Sequence, residues 1–273
     1  MSERYITFEE RKYTEKKPYM ADFHYHNCYE IYYLFSGNIR YLINCNLFDI
    51  NEGDLVLIKR NELHMTKKLD KDFGENIKIY LEENAFDKSG ENAEKFKDCF
   101  NYNHVILSAH QKKYVLSIIS KIRKEYKSND PFSKQLTNNY IYELLSFIYK
   151  LIFVETEDIS DIFEVSNNEI NKAIRYIYNN YNKPLTLSGI SDYCHMNPSY
   201  FSRFFKKSTG LNLIDYINTV RIKNAVFLLT NTTLSIAEIA QTCGYNDQGY
   251  FCKTFKKING CTASEYKKNI IKA

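Results

Sequence analysis

No stretch of this chain approaches the ~20 uncharged apolar residues that a membrane-spanning helix needs, so a span is not expected. The opening residues, Met1-Ser2-Glu3-Arg4-Tyr5, lack the apolar core of a secretion leader. Cysteine is sparse and odd in number: seven residues, with no C-x-x-C pair. That pattern argues against a disulfide framework and a zinc ribbon, and it suits a reducing compartment, the cytoplasm. Tryptophan is missing altogether, amid abundant Asn, Ile, Lys and Tyr; this bias reads as base composition and carries no function. What is present is enough apolar residue, 44% of 273, to build two ordinary cores.

Negative charge is scarce in one half only. From Asn167 onward there are 14 Lys plus Arg against 6 Asp plus Glu, whereas residues 1–166 hold 23 against 27. The carboxyl-terminal half is therefore about +8 and the amino-terminal half about −4, which assigns any polyanion to the former. The basic half also repeats itself at an offset of 50. Ser199-Tyr200-Phe201-Ser202-Arg203-Phe204-Phe205-Lys206-Lys207 returns as Gly249-Tyr250-Phe251-Cys252-Lys253-Thr254-Phe255-Lys256-Lys257, and Gly210 and Gly260 keep the register. Each copy follows a short helical segment and a polar turn, the arrangement by which a helix-turn-helix offers its second helix to a major groove.

Periodicity divides the chain. Residues 19–80 read as short strands, among them Glu30–Phe35, Arg40–Ile43 and Asp54–Ile58, separated by turn signals at Ser36-Gly37-Asn38, Asn44-Cys45-Asn46 and Asn51-Glu52-Gly53-Asp54. Helical spacing then takes over at His110–Lys127 and Phe132–Phe153. The apolar excess of this hairpin, notably Leu144, Ile148 and Leu151, is explained equally by packing on a barrel and by a dimer interface. Residues 156–167 are acidic and without apolar period, and read as a linker. Beyond them the spacing predicts only helices: 168–181, 187–194, 198–209, 213–229, 236–243, 248–258 and a last turn near 264–268. Asn197 before Pro198, and Asp247 before Gln248, are N-cap signals, while Gly210 and Gly260 suit left-handed helix ends.

Pro184-Leu185-Thr186-Leu187 through Glu265-Tyr266, with Arg221-Ile222, Ser235-Ile236-Ala237-Glu238-Ile239-Ala240, Gly244-Tyr245 and Tyr250-Phe251, resembles the paired helix-turn-helix domain of AraC/XylS transcription regulators. The likeness covers about 90 residues. Residues opposite the stripe of Phe201, Phe204 and Phe205, or of Phe251 and Phe255, should face DNA: Ser199, Ser202 and Arg203 in the first copy, and Gln248, Gly249, Cys252 and Lys253 in the second. The resemblance implies base reading from the same positions. Arg203 suits guanine and Gln248 suits adenine, each worth ~1–3 kcal/mol of discrimination, while Lys206, Lys207, Lys256 and Lys257 suit phosphates. Two departures stand out: His195 replaces the usual turn glycine, and Gly249 weakens the start of the second reading helix.

His24, His26, Glu30 and Gly37, followed by His64, resemble the cupin metal motif, with Lys59 and Asn61 where Pro and Gly are usual. Equal parity would point His24, His26 and Glu30 to one face of one strand. Three readings stay open: a site for a divalent metal such as Fe, Mn, Ni or Zn, a polar effector pocket for a sugar or related molecule, and structural histidines.

The expected fold class is α+β, a cupin-like β-barrel (1–105) with a helical hairpin (106–155) that dimerises, then the linker and an all-α double helix-turn-helix domain (168–273). The expected function is a sequence-specific, DNA-binding transcription regulator, not an enzyme, answering to a small effector in the barrel. Its partners would be double-stranded DNA, the effector and a second copy, with RNA polymerase if it activates, and no membrane. The rivals are a metal-dependent cupin enzyme tethered to DNA and an effector-independent dimeric regulator.

Overall fold

The computed structural model describes residues 6–13, 23–69, 74–155 and 169–271. The acidic segment 156–167 lies outside the described residues. The chain forms two compact units, one of residues 1–43 and 48–166, the other of residues 44–47 and 167–273.

Unit 1 is strand-rich, then helical. Its strands are β1 (Ile6–Tyr13), β2 (Tyr29–Ser36), β3 (Ile39–Ile43), β4 (Asn46–Ile50), β5 (Leu55–Ile58), β6 (His64–Lys68), β7 (Gly74–Leu81) and β8 (His104–Val105). They make a five-stranded sheet in the order β1-β7-β2-β5-β8 and a three-stranded sheet in the order β4-β3-β6. The large sheet is covered on both faces, and the period-2 alternation of its strands sorts the side chains. Odd positions Ile31, Tyr33, Leu55, Leu57, Ile77 and Ile79 join a helix-covered core, while even positions Tyr32, Leu34, Val56 and Ile58 meet Tyr41, Ile43, Phe48 and Ile50 between the sheets. Strands β2, β3 and β5 hold the three sequence-read segments. Strands β1 and β7 pair along eight residues, and β7 buries Asn76 and Lys78 on the face opposite Ile77, Ile79 and Leu81.

A 3-10 stretch at Glu83–Asn92, kinked at Gly90, precedes α1 (Ala93–Cys99), α2 (Ala109–Lys127) and α3 (Ser133–Phe153). Helix α2 starts at a reciprocal capping box between Ser108 and Gln111. Val115, Ile118, Ile119 and Ile122 of α2 and Ile141, Leu144, Leu145, Ile148, Leu151 and Ile152 of α3 are buried in the core on the outer face of the large sheet. Burying each such side chain is worth roughly 1.5–3 kcal/mol. Of the two readings left open for Leu144, Ile148 and Leu151, the structure favours packing within the unit over a dimer interface. They are 0%, 0% and 6% exposed, spent on their own unit, and the exposed apolar residues of the hairpin are others, such as Leu116.

Unit 2 holds α4 (Glu169–Asn180), α5 (Leu187–Tyr193), α6 (Pro198–Thr209), α7 (Leu213–Asn231), α8 (Ile236–Thr242), α9 (Gln248–Asn259) and α10 (Ala263–Ile271). Three of these starts have a cap of their own. Thr186 caps α5 through Gly189 N–H, Asn212 caps α7 through Asp215 N–H, and Ser235 with Glu238 forms a capping box on α8. The nineteen residues of α7 span about 28 Å.

The turns of the two helix pairs are formed by different residues in the same backbone state. His195 has φ 53° and Gly244 φ 82°. A Cβ at Gly244 would lie 2.8 Å from the Asn182 carbonyl oxygen, so the second turn needs glycine for space as well as for φ. We therefore expect Gly244→Ala to cost about 2 kcal/mol or more in urea unfolding, and His195→Gly to change stability by less than about 1 kcal/mol. Equal effects at both turns would contradict the close approach at Gly244.

Candidate DNA-reading helices and barrel cluster

Two buried rings, one helical turn apart, set the rotation of each reading helix. Phe201 and Phe205 of α6 and Phe251 and Phe255 of α9 are all fully buried, with ring centroids 5.7 Å apart in each pair. Beyond them, Phe205 meets Tyr216 and Phe255 meets Tyr266, so the offset of 50 persists in the packing. Asn197 accepts hydrogen bonds from the Ser199 and Tyr200 N–H groups at 2.9 and 3.4 Å, and Asp247 caps α9 through Tyr250 N–H. Gly210 (φ 85°) and Gly260 (φ 75°) close the helices in the left-handed conformation.

With the rings buried, Ser199 and Arg203 on α6 and Gln248, Gly249 and Lys253 on α9 are exposed, while Ser202 and Cys252 are half-buried. Lys206, Lys207, Lys256 and Lys257 are exposed in the last turns; Lys257 lies 3.5 Å from Asp215. Phe204 departs from its expected place. It is half-buried and stacks on Tyr200 at 6.0 Å, while its counterpart Thr254 is buried. Sequence reasoning missed Tyr200 and Tyr250, which are 54% and 48% exposed on the outer faces of both helices. Their signal was in the repeat itself, since a tyrosine preserved at a position that faces solvent in both copies is not core. Arg221, for its part, is committed internally: it donates to the carbonyls of Tyr181 (2.7 Å) and Lys183 (3.0 Å) and lies over the Tyr245 ring.

In unit 1 the structure brings His24, His26, Glu30 and His64 together, though not on one strand. His24 forms an isolated bridge with His64, residues 25–28 leave the sheet, and β2 begins only at Tyr29. Shared parity was thus the wrong reason for their convergence; the bridge and a hydrogen bond from Asn61 N–H to the His26 carbonyl (2.8 Å) bend the segment inward. Asn61 has φ 58° and so does the work of the glycine usual there. The His64 ring lies 4.2 Å from that of His24 and 5.0 Å from that of His26.

Glu30 is fully buried, as is His64, and Lys78 of β7 reaches 3.2 Å from Glu30 Oε1. Burial alone would raise the Glu30 carboxyl, but the Lys78 ammonium, then the His26 hydrogen bond and the His64 ring, bring it down to about 2. Burial likewise works against charge on His26, yet its bonds to Cys28 and Glu30 hold the imidazolium up to about 10. His26 accordingly donates to the Cys28 carbonyl at 2.9 Å and to Glu30 Oε2 at 2.8 Å. Burial drives His64 down to about 3 despite Glu30, so it is neutral, donating from Nδ1 to the Glu62 carbonyl at 2.8 Å. That leaves His64 Nε2 as a buried acceptor without a hydrogen bond, in the same unit as the buried Thr66 hydroxyl, which also lacks one.

His26, Glu30 and His64 offer one ligand atom each within 4.8 Å of one another. The set nevertheless does not fit a divalent metal. The Lys78 ammonium already supplies the cation, and His26 Nε2 carries the proton shared with Glu30. Lys78 was invisible to motif reading because it comes from another strand. Lys78→Met should leave a buried carboxylate without its main counter-charge and lower stability at pH 7 by about 3 kcal/mol in urea unfolding; a loss under about 1 kcal/mol would mean that Glu30 is not held by Lys78.

Residues 190–269 match the family model described as a helix-turn-helix domain. The chain is 27% identical over 277 residues to the HTH-type transcriptional activator RhaR of Mannheimia succiniciproducens, covering 98% of this chain and 93% of that one. It is 28% identical over 171 residues to the lactose operon transcription activator of Staphylococcus xylosus, covering 60% and 58%. Among solved structures, the C-terminal domain of AraT from Geobacillus stearothermophilus is 32% identical, covering 39% of this chain and 88% of that one, with a TM-score of 0.37. Among the described residues, no helix is long and apolar enough to cross a membrane. The doubled helix-turn-helix, with its matching turns, buried phenylalanine pairs and outward polar faces, together with the family-model match and the two activators, places the chain in the AraC/XylS family of DNA-binding transcription regulators.

Proposed function

We propose that the protein is a cytoplasmic, one-component regulator that reads DNA with α6 and α9 and answers to a small polar effector, a sugar or a related hydroxylated molecule, held by the amino-terminal unit. The observation that carries the DNA reading is the paired exposure of Arg203 and Lys253 at equivalent positions over buried phenylalanines. Arg203, Ser199 and Ser202 read bases in one groove, Gln248, Gly249, Cys252 and Lys253 in the next, and the four terminal lysines hold phosphates.

The effector half of the reading rests on the buried polar groups of the barrel. His64 Nε2 and the Thr66 hydroxyl have no hydrogen-bond partner, and a ligand hydroxyl that donates to the one and pairs with the other would remove two costs at once. Names of relatives support the same class: one is a lactose operon activator. The effector acts by binding one conformational state more tightly than another, which alters DNA affinity or the spacing of the sites engaged. Homodimerisation belongs to this reading through exposed apolar residues of the hairpin such as Leu116, since the inner stripe of α3 is already covered.

Selection of bound duplexes from random DNA at fixed salt, beside Arg203→Ala, tests the reader. The expected result is a motif of two boxes about one helical turn apart, ~34 Å, with preference lost in one box only in the variant. Salt-sensitive binding without sequence preference, with and without candidate sugars, would contradict it. Replacing Lys206 and Lys256 by Ala should instead weaken binding to all sequences and lower the salt slope by about 2, as measured by fluorescence anisotropy at several salt concentrations.

A further inference from the structure

Unit 1 holds a cavity that neither the barrel cluster nor the DNA-reading helices use. It measures about 250 Å³ and lies where the 3-10 stretch, the end of α2, the α2–α3 turn and the first turns of α3 meet. Asn84, Ser133, Thr137 and Asn138 supply its neutral polar lining, and Tyr126 and Tyr142 its aromatic lining. The walls are set by packing: the Tyr126 ring lies 4.1 Å from Phe8, and Tyr142 donates its hydroxyl proton to the Ala85 carbonyl at 2.7 Å.

Two polar atoms in this lining are buried without a hydrogen bond, Asn84 Oδ1 and Ser133 Oγ. Ser133 is 6% exposed. A buried polar group left unpaired costs about 1–3 kcal/mol. Ser133 is also the first residue of α3, whose N-cap position is Phe132 and carries no side-chain cap.

The ligand class follows from what is unmet. Asn84 Oδ1 asks for a donor, and Ser133 Oγ can donate or accept; a hydroxyl group meets both. The charged residues on the wall cancel, Lys88 and Lys134 against Glu125 and Asp130, and the two carboxylates oppose an anion. The volume, about 250 Å³, is just below the roughly 300–1,000 Å³ of drug-sized ligand sites and so limits the ligand to a small molecule. We infer that this cavity is a binding site for a small neutral polyol of monosaccharide size, held by Asn84 and Ser133, and separate from the barrel cluster at His64 and Thr66.

Calorimetric titration and thermal melting of the full chain test it with D-glucose, D-galactose, D-xylose, L-arabinose and myo-inositol, beside inorganic phosphate and glycine. The expected result is binding and a raised Tm with at least one neutral polyol. Ser133→Ala and Asn84→Ala should each weaken that binding about tenfold, and Thr66→Val should leave it unchanged. Without ligand, Ser133→Ala should melt no lower than the parent, since it removes only an unpaired hydroxyl. The inference fails if none of the five polyols binds at up to about 10 mM, or if only phosphate or glycine binds. It fails equally if binding survives Ser133→Ala but is lost in Thr66→Val, a result that would instead support the barrel as the effector site.

Discussion

The DNA-reading half depends on one constraint, the burial of two aromatic rings at i and i+4 in each reading helix. Once Phe201 and Phe205, or Phe251 and Phe255, are driven into the core, the helix has no rotational freedom left, and the identity of its outward face is decided. Capping then fixes where each helix begins, through Asn197 and Asp247, and the left-handed glycines fix where it ends. Recognition is thereby a by-product of packing: Arg203 and Lys253 face outward because the rings two positions away on either side in sequence face inward. Copying the module at an offset of 50 copies the constraint with it, which explains why the aromatic and basic positions recur together while residues between them drift.

The amino-terminal half is governed by a different necessity, the presence of a carboxylate where water cannot reach. Glu30 sits on the inward side of β2 among positions otherwise filled by Tyr32 and Leu34. An uncompensated charge there would cost several kcal/mol, and Lys78 and His26 compensate it from two directions. His64, packed against the same carboxylate, is left neutral because its burial outweighs the pull of Glu30. The cluster is therefore a graded set, in which an ion pair satisfies Glu30 and leaves the groups around it with unused hydrogen-bonding capacity.

How much of this was legible in the sequence follows the range of the interactions involved. The double helix-turn-helix was readable because its determinants are local: caps, glycine stops and an i, i+4 aromatic spacing within twelve-residue helices. The three histidines and Glu30 were readable as a group, but the single strand assumed for them was not, since the bend at residues 25–28 depends on pairing with His64 and Asn61 far along the chain. Lys78 and β7 escaped for the same reason, a polar residue in a strand being uninformative until its partner is known. The apolar stripe of α3 was correctly seen and its destination left open, because periodicity reports that a face is buried and not against what.

The same energetic scale connects the unmet polar groups to regulation. Typical allosteric coupling between a ligand and a second equilibrium amounts to about 1–3 kcal/mol, and satisfying one buried unpaired group returns about the same amount. An effector that completes the hydrogen bonding of His64 and Thr66 in one state of the barrel, but not in another where the bridge at His24 is altered, would on the proposed reading supply the whole coupling from two contacts. No large rearrangement or extensive interface is then required of the effector. A sensor can be poised in this way because its apo core tolerates a small deficit that only the correct ligand removes, and a ligand that lacks a hydroxyl at the right place leaves the deficit, and the equilibrium, where it was.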